Sequence, residues 1–267
     1  MDRAPTGRRP VADAPVTEGT ARCLVRLAAT GIALLAATLS GEILLAVAEN
    51  GNASFETLIL YVALPALAVL ALTTAAGAAL GLQRFVRGVL LGAAFGALAT
   101  VALELVRNVG FYEFSSMPGQ LPELMGVLMT NRIMDGPALL SNVLGWADHF
   151  WNGATLGITY ALLLGGAPRH RSHWYGAGAG ALFGLVVGTG FLASPVSRAT
   201  GAGLFGSIFG MKYVWTVYLA HAAFGASLGA LVHRFGAGLE PVWDAATGVV
   251  YQARGMWRQR SLKQAGA

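Results

Sequence analysis

Five ionisable residues sit inside stretches that are otherwise apolar: Glu42, Glu104, Asp148, His149 and His221. An Asp, Arg or Lys at the middle of a membrane helix costs roughly 2.5–3.5 kcal/mol on the insertion scale. Groups that persist there mark ion pathways, proton relays or cofactor ligands by default. His149 and His221 both open the pattern H-x-x-x-G-A-[ST]-L-G, at residues 149–157 and 221–229. Neutral imidazole is the commonest metal ligand and a usual haem-iron ligand. Two such rings can be axial ligands of one b-type haem, or part of a transition-metal site with Asp148 or Glu42. They can equally form a proton or ion relay, or do no more than hydrogen-bond a neighbouring helix. Asn152 lies one turn from Asp148 and can join the cluster. Glu104 and Arg107 are three apart and are expected to pair, whereas Glu42 has no local partner of opposite charge.

A second, softer set of candidates comes from the methionines. Met117, Met125, Met129 and Met134 fall within residues 109–137, four of the seven in the chain. Thioethers suit Cu(I), which would make Met125 and Met129 metal ligands above the two histidines. Methionine also fills irregular apolar gaps, and that reading accounts for the same residues.

The elements that carry these groups follow from composition. Of 267 residues, 55% are hydrophobic and 12% charged, against about 25% charged in an ordinary soluble domain. Too few polar residues remain to cover a water-facing surface. A soluble enzyme, a disordered chain and a free nucleic-acid binder are therefore excluded, and the first partner is the lipid bilayer. A bilayer core takes about 20 apolar residues of helix. Six segments qualify, at about 27–48, 57–81, 86–106, 138–165, 174–194 and 213–233. The fold class is an all-α polytopic membrane bundle of six transmembrane helices. At 1.5 Å per residue, the five ionisable groups all lie roughly 5–17 Å below the outer boundary.

The orientation comes from the basic residues. With the N-terminus inside, 14 of the 18 Arg and Lys fall on the inner side, and only Arg107, Arg132, Arg198 and Lys212 on the outer. That asymmetry is the positive-inside signal and places both termini in the cytoplasm. Residues 1–26 form an N-terminal tail without the apolar core of a cleavable signal, and 27–81 form an added hairpin. The tail 234–267 is basic. Val242, Trp243, Ala246, Val250, Ala253 and Trp257 give its first part an apolar face at helical spacing, suited to the inner leaflet. The single cysteine, Cys23, excludes an internal disulfide.

The four remaining spans read as a duplication. Residues 88–96 and 176–184 share G-x-x-x-G-x-x-F-G, and each copy is followed by one of the histidine patterns. A two-helix hairpin, 86–165 and then 174–233, is thus used twice in the same direction, giving a parallel repeat about an axis along the membrane normal. Glycines four apart form a groove that lets helices approach closely in lipid. Small-residue faces of this kind also suit a homodimer or docking into a larger complex. The long outer loop 109–137 is expected to hold an amphipathic surface helix through Leu121, Leu124, Met125, Leu128 and Met129. Loop 195–212 is expected to form a short interfacial or re-entrant segment. No nucleophile turn, phosphate-binding loop, H-E-x-x-H or paired-Cys motif occurs.

The order Gly88, Gly92, Gly96 to Thr100, an outer loop, then His149, Gly153, Gly157 and Tyr160 resembles the small, Gly-rich YagU-like multi-pass inner-membrane proteins of unknown function. The resemblance covers 86–165, with an echo in 174–233. It implies a multi-pass protein of the bacterial cytoplasmic (inner) membrane and transfers no activity. The leading expectation is non-enzymatic transport or ion handling through the outer-half polar cluster. The alternatives are a haem-b electron-transfer subunit and an accessory or scaffold subunit.

Overall fold

The computed structural model describes residues 19–41, 43–51, 53–165 and 173–251. Glu42, the segment 166–172 and the tail beyond 251 lie outside the described residues, and with them the expectations placed on Glu42 and on Trp257. Every regular element among the described residues is a helix, with no strand among them.

Ala and Leu, both strong helix formers, carry α1 over Thr20–Leu39. The expected span 27–48 is interrupted at Ser40–Gly41, and the short α2 follows at Ile43–Glu49. The break leaves the Ser40 carbonyl without a helical partner, and Trp151 Nε1 donates to it at 2.8 Å. The second apolar rod begins with α3 (Phe55–Leu58), where Ser54 Oγ accepts from the Thr57 amide at 3.2 Å. A π-helical turn, Ile59–Ala63, leads into α4 at Leu64–Ala79. Pro65 follows that turn directly. A proline cannot donate to the preceding turn and clashes with it, and the wider turn relieves both problems.

Next comes α5, Gln83–Phe114, 32 residues and about 48 Å long. It extends eight residues past the expected end at 106, because Val109, Phe111 and Tyr112 continue its apolar character. The loop expected from 109 therefore starts only at Ser115, whose left-handed backbone ends the helix. Within it α6 (Leu121–Met129) forms, with Pro122 in its first turn. The expected surface helix is packed tightly on its neighbour: Cβ atoms built on Gly126 and Gly145 would collide with backbone of the facing helix. That neighbour is α7, Leu139–Leu164. Then come α8 (His173–Ala193), α9 (Pro195–Ala199), a 3₁₀ turn at Leu204–Gly206 and α10 (Met211–Phe235). Residues 242–251 are again helical. Glu240 pairs with Arg26 of α1 at 3.0 Å, which ties the start of the tail to the first helix.

Two antiparallel pairs form the centre. In the first, a Cβ on Gly88 would lie 2.9 Å from Leu162, and one on Gly92 2.8 Å from the Gly157 oxygen; one on Gly96 would strike the Gly153 carbonyl. In the second, a Cβ on Gly176 would lie 2.8 Å from the Gly229 oxygen, while Gly180 and Gly184 meet the Gly225 and His221 carbonyls. Only residues without a side chain permit such approach, which in lipid supplies the dispersion contacts that hold helices together. The pairs join where α10 packs on α5, around Ala99, Phe224 and Leu228, while α1 lies against α4 and α7. Leu72, Leu90, Leu105, Leu182, Val186 and Leu219 point outward, exposed as a lipid-facing belt.

By length and composition five helices qualify to cross a membrane: Thr20–Leu39, Phe55–Ala79, Gln83–Phe114, Trp174–Ala193 and Met211–Phe235. The chain is thus a multi-pass membrane protein by its helices. The sixth expected span, α7, falls outside this set, because Asn142, Asp148, His149 and Asn152 lower its mean hydropathy.

Candidate functional site

The glycine spacing continues into chemistry. On α5, Gly92 and Gly96 are followed at intervals of four by Thr100 and Glu104. On α7, Gly157 and Gly153 are preceded at the same interval by His149. Residues four apart share a helix face, so the antiparallel crossing that joins the glycines also brings Glu104 to His149. The His149 Nε2–H donates to Glu104 Oε1 at 2.9 Å. Arg107, one turn further along α5, donates from Nε to the same Oε1 at 2.7 Å and from Nη2 to Oε2. The expected Glu104–Arg107 pair thus forms, and it is bidentate, the strongest geometry for this pair. All three side chains are buried, Glu104 and His149 at 6% exposure and Arg107 at 4%.

His221 occupies the matching place on the second pair, with a different partner. The α8 residue facing it is Gly188, whose built Cβ would lie 3.1 Å from the His221 ring. With no carboxylate there, His221 Nδ1–H donates to the Val217 carbonyl of its own helix at 2.8 Å. That bond leaves Nε2 as the nitrogen with an available lone pair. Phe191 stacks against the ring, centroid to centroid 5.8 Å.

The two histidines meet at one cavity of about 40 Å³, lined also by Arg107, Thr216, Met117 and Phe191. A larger chamber of about 210 Å³ adjoins it and shares His149, Leu121 and Phe191. Its remaining walls are mostly apolar and include Ile43, Leu45, Met125, Val187 and Val196. His149 therefore lines both cavities. Arg107 Nη1 is buried without a hydrogen-bond partner among the described residues.

The other sequence candidates separate from this centre. Asn152 Nδ2 donates to Asp148 Oδ2 at 3.2 Å, so those two do form a pair. They lie toward the break in α1, where a Cβ on Gly41 would come 3.4 Å from Asn152 Oδ1. Neither lines the two cavities. Met125 is buried and lines the chamber with His149, while Met129 packs in the apolar cluster around α2 and α3. Among the described residues no three His, Cys, Asp or Glu side chains gather as a metal site.

Sequence reasoning missed the Glu104–His149 bond between helices and the role of Arg107 as a cavity wall. The four-residue interval shared by the glycines and these two groups was the signal. No family model, curated protein or solved structure matches the chain.

Proposed function

We propose that the chain is a non-enzymatic membrane transport protein that moves protons, alone or with a small solute, through the Glu104–Arg107–His149 cluster and His221. The observation that carries this is the 2.9 Å bond from His149 to a carboxylate already paired with Arg107, beside two adjoining cavities that His149 lines. A buried imidazole held by one nitrogen leaves the other as a place to take up or release a proton. The outer-half location gives such a relay its access from the outer side.

The proposal includes six spans rather than five. Helix α7 runs antiparallel to α5 from Leu162 beside Gly88 to His149 beside Glu104, which supports counting it as a sixth crossing. Its polar residues face inward, which explains its lower hydropathy. Six crossings put both termini on one side, and the basic residues make that side the cytoplasm. The shared glycine and histidine patterns are read as a duplicated hairpin, and the resemblance of 86–165 to YagU-like proteins supports a bacterial cytoplasmic membrane as its location. The haem reading is the weaker, since about 40 Å³ between the histidines holds a water molecule rather than a macrocycle.

The test is proton flux in vesicles containing the purified protein and a trapped pH dye. Wild-type vesicles should acidify at least tenfold faster than protein-free vesicles under an imposed gradient. His149→Gln keeps a donor for Glu104 and removes the imidazole, and should return the rate to background. Equal rates for wild type and His149→Gln overturn the proposal.

A further inference from the structure

The relay described above leaves one buried group without a use. Arg107 spends Nε and Nη2 on Glu104, and its Nη1 has no partner among the described residues although the side chain is 96% buried. A buried guanidinium donor without an acceptor carries a substantial desolvation penalty, and in native proteins such a donor has a partner, from water or from a ligand. Arg107 lines the small cavity together with His149, His221 and Thr216. The adjoining chamber is larger, about 210 Å³, and mostly apolar. That exceeds the roughly 150 Å³ of an apolar cavity known to take up benzene.

Resting on the proton-transport reading, we infer that the paired cavities bind a short-chain aliphatic carboxylic acid, its head at Arg107 and its tail in the chamber. The head group follows from the donors and acceptors present. Arg107 Nη1 offers hydrogens to a carboxyl oxygen. Thr216 spends its hydroxyl on the Lys212 carbonyl and Ser116 Oγ, and the remaining polar functions are imidazole nitrogens with lone pairs, since His149 donates through Nε2 and His221 through Nδ1. An amine would set a second cation beside Arg107, and an alcohol lacks the second oxygen that lets one group accept from Nη1 while giving its hydrogen to a histidine.

Charge balance fixes the form in which the acid enters. Glu104 and Arg107 together are neutral, and a bare carboxylate would add an uncompensated buried charge. The acid therefore enters protonated. Its O–H donates to His221 Nε2 and its carbonyl oxygen accepts from Arg107 Nη1, so the site gains no net charge. The ionisable groups facing His221 across the cavity are Arg107 and His149, with Glu104 behind them; α8 and α6 contribute only Phe191 and Leu121. This makes the acid a proton carrier and names the class of solute for the transport reading.

The experiment is calorimetric titration of the full-length protein in detergent with hexanoic acid, hexan-1-ol, hexylamine and acetic acid as probes. Hexanoic acid should bind at least tenfold more tightly than the other three. Arg107→Lys keeps a cation for Glu104 but withdraws the free Nη1, and should lower hexanoic acid affinity about tenfold. Gly190 lines the chamber, and a Cβ built there meets nothing within 4 Å. Gly190→Phe should therefore fold, fill the chamber and weaken hexanoic acid more than acetic acid. Equal affinity for the alcohol and the acid, or unchanged binding in Arg107→Lys, overturns the inference. So does an absence of binding in a preparation that still conducts protons, which leaves the relay standing. Binding of hexanoic acid with the expected Arg107 dependence, in vesicles where His149→Gln conducts like wild type, supports the acid site and removes the relay.

Discussion

At the scale of single residues, the site is organised by one carboxylate serving two cationic or donor partners. Glu104 accepts from Arg107 and from His149, so its removal strands both. Breaking one side of a buried ion pair is costly because the remaining charge has no compensation. Glu104→Gln should destabilise the protein by about 3–5 kcal/mol, read as a lowered midpoint of thermal unfolding in detergent. The double variant Glu104→Gln with Arg107→Met should recover most of that loss, since both charges leave together. Equal destabilisation in the single and double variants would mean that Glu104 stabilises through some other contact. His221 should be far more tolerant. Its ring bonds to a carbonyl of its own helix and faces Gly188, so His221→Gln is expected to cost no more than about 1–1.5 kcal/mol. The same thermal scan checks it.

At the scale of elements, the two central helix pairs depend on bare glycine faces. Gly96 approaches the Gly153 carbonyl so closely that any Cβ forces α5 and α7 apart. Overpacking of this kind costs about 1–3 kcal/mol, and Gly96→Val should exceed the effect of Gly96→Ala. Gly178 lies on the same kind of helix with nothing within 4 Å of a built Cβ. Gly178→Ala should leave stability unchanged or raise it by up to about 1 kcal/mol, because alanine is the better helix former. A comparison of unfolding midpoints separates the two cases, and equal loss at both sites would refute the packing role. The pairs also explain why His149 and His221 have different partners although their sequence surroundings match. The stripe on α5 continues to Glu104, while that on α8 continues to Gly188.

At the scale of the whole molecule, topology is the open quantity that a single measurement decides. Six crossings place the two termini on the same face, whereas five place them on opposite faces. Reporter fusions at the N- and C-termini should both signal the cytoplasm in bacterial cells, and opposite signals would remove α7 from the set of spans. The reason to expect six is tertiary: α7 lies along α5 from Gly88 to Glu104 and hides its polar side chains there. A hydropathy average cannot see which face a residue takes, so α7 falls short of the composition that marks the other five.

Much of the architecture was legible in the chain. Scarcity of charge requires lipid around the helices, because a polar surface cannot be built without polar residues. Long apolar runs must be helical, because backbone groups in lipid need internal partners. The i,i+4 glycines, the Glu104–Arg107 pair and α6 follow from helical periodicity alone. The break at Ser40–Gly41 was not legible, because it depends on a distant neighbour, Trp151, that stabilises an irregular end. Above all, only the tertiary structure separated Asp148 and Asn152 from the histidines and placed Glu104 against His149. Adjacent residues on a helix point about 100° apart, and which direction meets a cavity is decided by the helices packed around it.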